Sequence, residues 1–118
     1  MNSMILINSL PPIDDSFKWK SRESFIDPRD METRHLFMTF VLIWNHTMPY
    51  EAMIERSGNW KHHMYMLGPF YTKEYLATAL VSIAPILFSR HDLEESWKDT
   101  INYMNSYVKK YLGRFLCQ

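Results

Sequence analysis

Apolar positions in this chain fall into three long stretches, and the first is the densest. From Leu36 to Trp44 only Thr39 interrupts the run Leu36, Phe37, Met38, Phe40, Val41, Leu42, Ile43 and Trp44. On a helix such a run points apolar groups in every direction around the axis, which requires other elements on all sides. A start signal precedes it. Asp27 is placed to accept amide protons of a first turn, Pro28 occupies the first helical position, where a missing N–H is not needed, and Asp30 faces the positive end of the helix dipole. The pattern predicts a central helix over about 28–46, with Phe40, Ile43 and Trp44 buried.

In the second stretch Tyr75, Leu76, Ala79, Leu80, Ile83 and Leu87 recur at helical spacing behind Thr72, a plausible N-cap. Pro85 is expected to kink or end that helix, because its ring removes a backbone hydrogen bond and clashes with the preceding turn. The third stretch is the clearest amphipathic stripe: Leu93, Trp97, Ile101, Met104, Val108, Tyr111, Leu112 and Phe115. Asp92 with Glu95 three residues on has the spacing of a capping box, so this helix is expected to open at Asp92.

Between these stretches the pattern is weaker. Thr47 to Gly58 predicts a short helix with Pro49 in its first turn, Gly58 as its left-handed cap, and Met53 and Ile54 facing inward. Residues 59–71 alternate in a period of two toward the Gly68-Pro69 turn, which fits an extended strand, with a short helix as the competing reading. Residues 1–26 lack helical periodicity. Met4 to Ile7 fits a short strand, Pro11 and Pro12 impose an extended or turn geometry, and Asp14 to Ser24 mixes charges with Phe17 and Trp19. This part reads as an N-terminal arm, docked or partly mobile, on a single helical domain spanning 27–118. The fold class is mainly α: a compact bundle of three main helices with short extra elements and an extended N-terminal arm, the first helix central and the last laid across the outside.

Composition narrows the function classes. A chain of 118 residues has room for one core. With 4 Trp, 7 Tyr and 7 Phe it is rich in aromatic side chains for its length, and the surplus must be buried, used at an interface, or both. Thirteen basic and 13 acidic side chains cancel, so no global field steers the chain toward nucleic acid or an anionic membrane. A neutral, aromatic-rich surface is poorly protected against self-association, which makes a homo-oligomer or a protein partner the expectation. Cys117 is the only cysteine, which excludes an internal disulfide and a cysteine-based zinc site and fits a reducing cytoplasm. Met1 to Leu10 makes a poor signal peptide, and no apolar run approaches the ~20 residues needed to cross a bilayer.

Candidate chemistry is sparse. Glu32-x-x-His35 puts two metal-ligand types on one helical face, as in carboxylate-bridged di-iron bundles, but that motif has no second copy here. His46 returns to nearly the azimuth of His35, roughly 16 Å further along the axis, too far to share an ion. The preferred reading is a surface glutamate near a boundary histidine, with His35 and His46 bracketing the buried middle of the helix. Lys61, His62 and His63 invite a metal or phosphate, yet adjacent side chains diverge on a strand or a helix. There is no Gly-x-Ser-x-Gly elbow and no phosphate-binding glycine loop, and nothing in the sequence argues for an enzyme or calls for a cofactor. Lys18-Trp19-Lys20-Ser21-Arg22 interleaves basic and aromatic groups as a single-strand groove would, although Asp14, Asp15 and Glu23 cancel much of its field, and the preferred reading is a docked arm with Trp19 buried and its charges solvated. Lys109, Lys110 and Arg114 complement a helix C-terminus. Nine methionines, among them Met48, Met53, Met64 and Met66, add adaptable apolar surface.

Three strings resemble segments of small uncharacterised proteins of tailed bacteriophages and prophages. They are Phe25-Ile26-Asp27-Pro28-Arg29-Asp30-Met31 with Thr33-Arg34-His35-Leu36-Phe37, then Ile43-Trp44-Asn45-His46-Thr47-Met48-Pro49, and Gly68-Pro69-Phe70-Tyr71-Thr72 with Glu74-Tyr75. The resemblance covers roughly residues 25–95. It implies a phage or prophage setting, hence the cytoplasm of a bacterial host, and carries no activity or catalytic residue with it. The leading expectation is a non-enzymatic accessory protein that binds a host or phage protein. Trp60, His62, His63, Tyr65, Phe70 and Tyr71 are its candidate surface, because loops carry function and aromatics dominate interface energetics. Two alternatives from other classes are a small metal- or ligand-binding enzyme built on Glu32 and His35, and a nucleic-acid module built on Lys18, Trp19, Lys20 and Arg22.

Overall fold

The run Leu36 to Trp44 forms the middle of the central helix. In a computed structural model of the chain, which describes residues 11–21, 24–48, 52–54 and 68–112, three helices follow one another: α1 (Thr33–Thr47), α2 (Lys73–Phe88) and α3 (Glu95–Leu112). Ahead of them a two-residue strand β1 (Trp19–Lys20) pairs antiparallel with β2 (Phe25–Ile26). The Cα radius of gyration is 13.2 Å, against about 13.5 Å expected for a folded chain of this length.

Phe40, Ile43 and Trp44 are fully buried, as are Leu36 from α1, Leu80, Ile83 and Leu87 from α2, and Met104 from α3. The core therefore lies between α1 and α2, and α3 closes it with Ile101, Met104 and Val108. Aromatic side chains bridge the outer helix to the central one. Phe37 stacks on Trp97 with centroids 4.6 Å apart, and Tyr107 meets Trp44 edge to face at 6.0 Å. Burial is not uniform around α1, however. Met38 is 43% exposed and Leu42 half-buried, so the Arg34-Met38-Leu42 side, spaced by one turn, stays open because the two packed helices cover the other faces.

The start signal at Asp27 does not open α1. Its side chain accepts from Arg29 N at 3.0 Å and so caps a separate 3-10 turn, Pro28–Asp30. Met31 and Glu32 then turn extended, and helix resumes only at Thr33. The expected single helix over 28–46 is split because the break drives Pro28 and Met31 into the core. Asp27 is meanwhile held by the Arg29 guanidinium at 3.0 Å and by Lys18 Nζ at 3.3 Å. The Arg29 hydrogen bond is the main reason its carboxyl sits far below the ordinary carboxylate range.

Asp92 does not cap the last helix either. Its Oδ1 accepts from the Thr33 hydroxyl at 2.6 Å, Arg90 donates to that same hydroxyl at 3.0 Å, and α3 begins only at Glu95. Arg90 also reaches the carbonyls of Pro28 and Arg29 at 3.4 and 3.3 Å, so the link between α2 and α3 is tied to the 3-10 turn. A capping-box spacing lost to a tertiary hydrogen bond is what a buried Thr33 demands, since its hydroxyl needs a partner.

Thr72 caps α2 as expected, accepting from Tyr75 N at 3.1 Å. Pro85 lies inside the last turn, and the helix runs on to Phe88. A proline so near the C-terminus removes one intrahelical bond without stopping the chain, and Ser89 N recovers the Pro85 carbonyl at 3.2 Å. Of the predicted helix near 47–58, Thr47 instead ends α1 and Met48 follows it extended, and beyond them only Ala52 to Ile54 is described. Ala52 is buried with its carbonyl bound by Trp44 Nε1 at 2.8 Å, Ile54 N donates to Asn45 Oδ1 at 2.8 Å, and Met53 and Ile54 are half-buried. Residues 59–67 and Met4 to Ile7 lie outside the described residues.

Candidate functional site

Residues from two distant parts of the sequence build one aromatic surface. The hairpin supplies Trp19 and Lys20 from β1 and Phe25 from β2, with Lys20 directly opposite Phe25. Ser21 N closes the hairpin on the Ser24 carbonyl at 2.8 Å. The turn before α2 and its first residues supply Phe70, Tyr71 and Tyr75, and Tyr71 N bonds to the Gly68 carbonyl at 3.2 Å.

Tyrosine hydroxyls fasten the two parts together. Tyr75 Oη accepts from Lys20 N at 2.7 Å and donates to the Lys18 carbonyl at 2.8 Å, while Tyr71 Oη donates to the Lys20 carbonyl at 2.7 Å. These are the groups by which β1 would otherwise pair with a further strand, so the outer edge of the hairpin is closed by side chains. Trp19 is 2% exposed. It packs against both tyrosines, each ring centroid at 5.8 Å, and the tyrosine rings meet each other at 6.0 Å. Phe17 packs on Tyr75 at 5.3 Å.

Two rings remain outside this anchor. Phe25 is 56% exposed and Phe70 is 41% exposed. They meet edge to face at 5.7 Å, and Phe70 also leans on Tyr75 at 4.7 Å. Lys20 Nζ stands over both, 5.7 Å from the Phe25 centroid and 5.9 Å from that of Phe70, within the range of a cation–π contact. Alongside runs an open depression of about 490 Å³ lined in part by Phe17, Lys18, Phe25, Glu74, Tyr75 and Thr78. An exposed aromatic pair with a cation above it can hold an apolar side chain and orient an acidic one.

Several predicted residues fall elsewhere. Phe70 and Tyr71 belong to this surface; Trp60, His62, His63 and Tyr65 lie outside the described residues, as does Arg22. Lys18 is spent on Asp27, and Trp19 is too deeply buried to stack on a base. Glu32 is exposed at the start of α1 with no capping bond, and His35 is exposed within the first turn. Among the described residues no group of three His, Cys, Asp or Glu side chains could hold a metal ion. Glu32 lines a second open depression of about 450 Å³ with Thr33, Arg34, Arg90, Asp92, Glu94 and Trp97. There the Thr33–Asp92 pair superficially resembles a nucleophile and its base. Yet the Thr33 hydrogen bond holds the Asp92 carboxyl below its ordinary range, which makes it a weak base, and Arg90 occupies the hydroxyl oxygen.

Sequence reasoning missed Phe25 and the role of Tyr75. The available signal was local: two short segments each led by an aromatic residue, Trp19-Lys20 and Phe25-Ile26, separated by four polar residues beginning and ending in serine, which is hairpin spacing. Among the described residues no helix is long and apolar enough to cross a membrane. The fold and surface define a small, mainly helical protein with an aromatic face at one end. Compared with family models, with curated proteins and with solved structures, the chain finds no match in any of the three.

Proposed function

We propose that this chain is a non-enzymatic, phage-type accessory protein that acts by binding another protein, and that the surface of Lys20, Phe25, Phe70, Tyr71 and Tyr75 receives it. The observation that carries the reading is the pairing of Phe25 and Phe70. Both rings stand in solvent on a rigid support, although burying either would stabilise the monomer. Preformed aromatic anchors beside a cation are the composition of interface hot spots. The resemblance over residues 25–95 to small phage and prophage proteins supports a protein of the bacterial host as the partner.

The test is capture from a bacterial lysate by the intact chain and by Phe25→Ala and Phe70→Ala variants, followed by reconstitution with the purified captured protein. The expected result is a partner held by the wild type and lost from both variants while their melting temperatures stay within a few degrees of it. A partner retained equally by both variants moves the interface elsewhere.

A further inference from the structure

We infer that in the absence of its partner the Phe25–Phe70 surface is covered by a second copy of this chain in a two-fold dimer. The inference rests on the reading above that this face is an interaction surface, and it names an occupant from the charges that surround the rings. Lys20 carries its ammonium over Phe25 and Phe70 and donates to the Ser21 carbonyl at 3.3 Å, with no carboxylate partner among the described residues. Glu74, in the first turn of α2, is exposed, lines the same depression as Phe25, and has no cationic partner among the described residues. The other lysine at this face, Lys18, is already paired with Asp27. Among the described residues the face thus offers a positive group, Lys20, and negative ones, Glu74 and the Asp14 that lines the same depression, beside an apolar ring pair.

A patch of that kind is complementary to itself. In an isologous interface every contact occurs twice, so Lys20 of one copy meets Glu74 of the other and the reverse, with the four phenylalanine rings between them. A purely basic or purely acidic rim would repel its own copy. The zero net charge adds no long-range repulsion. The closed outer edge of β1 matters as well, because it leaves side chains rather than strand pairing to make the contact.

The experiment is sedimentation velocity of the full chain across the micromolar range, with Lys20→Glu, Glu74→Lys and the double exchange. The wild type is expected to show a concentration-dependent dimer, each single reversal to weaken it by about tenfold or more, and the double exchange to restore it. Because Glu74 is exposed, Lys20 only half-buried, and neither belongs to the helical core, the variants should keep their helical circular dichroism. Should a reversal unfold the hairpin, Phe70→Ser, which lies outside it, takes its place and must shift the protein to monomer. A wild type that stays monomeric throughout, or a double exchange no better than the single reversals, overturns the inference. Lysate capture by the Phe25→Ala and Phe70→Ala variants reads the functional proposal separately. A monomeric wild type whose variants lose capture refutes only the dimer, and a rescued dimer with unchanged capture refutes only the partner site.

Discussion

Tyr75→Phe isolates the hydroxyl that joins the N-terminal hairpin to α2. The ring itself stays, so its contacts with Trp19 at 5.8 Å and Phe70 at 4.7 Å are retained and no cavity opens. What is lost is one acceptor for Lys20 N and one donor for the Lys18 carbonyl. Lys20 N is partly buried, and leaving such a group bare costs about 1–2 kcal/mol, whereas the Lys18 carbonyl at the exposed edge turns to water at little further expense. For a domain of this size that shifts the melting temperature by roughly 3–10 °C. Tyr71→Phe removes the bond to the Lys20 carbonyl and a longer one to the Ser21 carbonyl at 3.5 Å, and should cost about 1 kcal/mol. Both hydroxyls hold the same residue, so the double variant should lose less than the sum, since a hairpin freed by the first change has less to lose from the second. Urea melts give the free energies, and hydrogen exchange at the Lys20 amide reads the bond directly. If Tyr75→Phe leaves both the urea midpoint and the Lys20 exchange rate at their wild-type values, the hydroxyl does not hold β1 and the account of the surface fails.

Three further outcomes follow from the core and its polar ties. Phe40→Ala should destabilise the fold by ~3–5 kcal/mol in urea melts through lost transfer energy and a cavity between α1 and α2, and a change within noise would place α1 at the periphery. Thr33→Val keeps the shape but removes the hydroxyl that serves both Arg90 and Asp92; a loss of about 1–2 kcal/mol is expected, and Thr33→Ser should recover most of it. Asp27 is depressed in the folded state by Arg29 and Lys18, so its contribution is fully present above the ordinary carboxylate value near 3.8 and fades as pH falls below it. The urea midpoint of the wild type should therefore drop between about pH 5 and pH 2 more steeply than that of Asp27→Asn, and parallel curves would refute the assignment.

The helices were legible because each buries a stripe that recurs every three to four residues. Leu36, Phe37, Phe40, Ile43 and Trp44 of α1, Leu76, Ala79, Leu80, Ile83 and Leu87 of α2, and Ile101, Met104 and Val108 all face the core. The cap at Thr72 was legible for the same reason, since its partner Tyr75 N is three residues away. The misplaced starts have a common cause. Asp27 and Asp92 have sequence neighbours suited to capping, but the one is taken into a 3-10 turn and an ion pair with Arg29, and the other into a hydrogen bond with Thr33, 59 residues distant in sequence. Local spacing states what a carboxylate can do for its own helix; it says nothing of a donor brought from elsewhere. Pro85 shows the converse, where a strong local breaker is tolerated because it falls in the final turn of an otherwise well-packed helix.

The aromatic face was half legible, and the missing half explains its character. Phe70 and Tyr71 stood out as aromatics without a helical stripe to join, whereas Lys18 to Lys20 stood out only as a basic-aromatic string. The two strings belong to one surface because Tyr71 and Tyr75 reach back some 50 residues to hold the backbone of β1, with 51 positions separating Tyr71 from Lys20. That closure decides between the two readings of the string. Trp19 is the buried residue of a docked arm, the reading preferred over a stacking platform, and it serves as the anchor. Phe25, which no periodicity marks, is carried outward by its register opposite Lys20. A hairpin of two-residue strands has too little ladder to be stable alone, so its position depends on the tyrosine hydroxyls and the Trp19 packing. The exposed rings are consequently fixed by bonds that lie beneath them, and the surface is preorganised without being part of the helical core. Loss of binding on Phe25 or Phe70 substitution with an intact fold, and loss of the hairpin on Tyr75 substitution with intact helices, are therefore separable effects of one assembly.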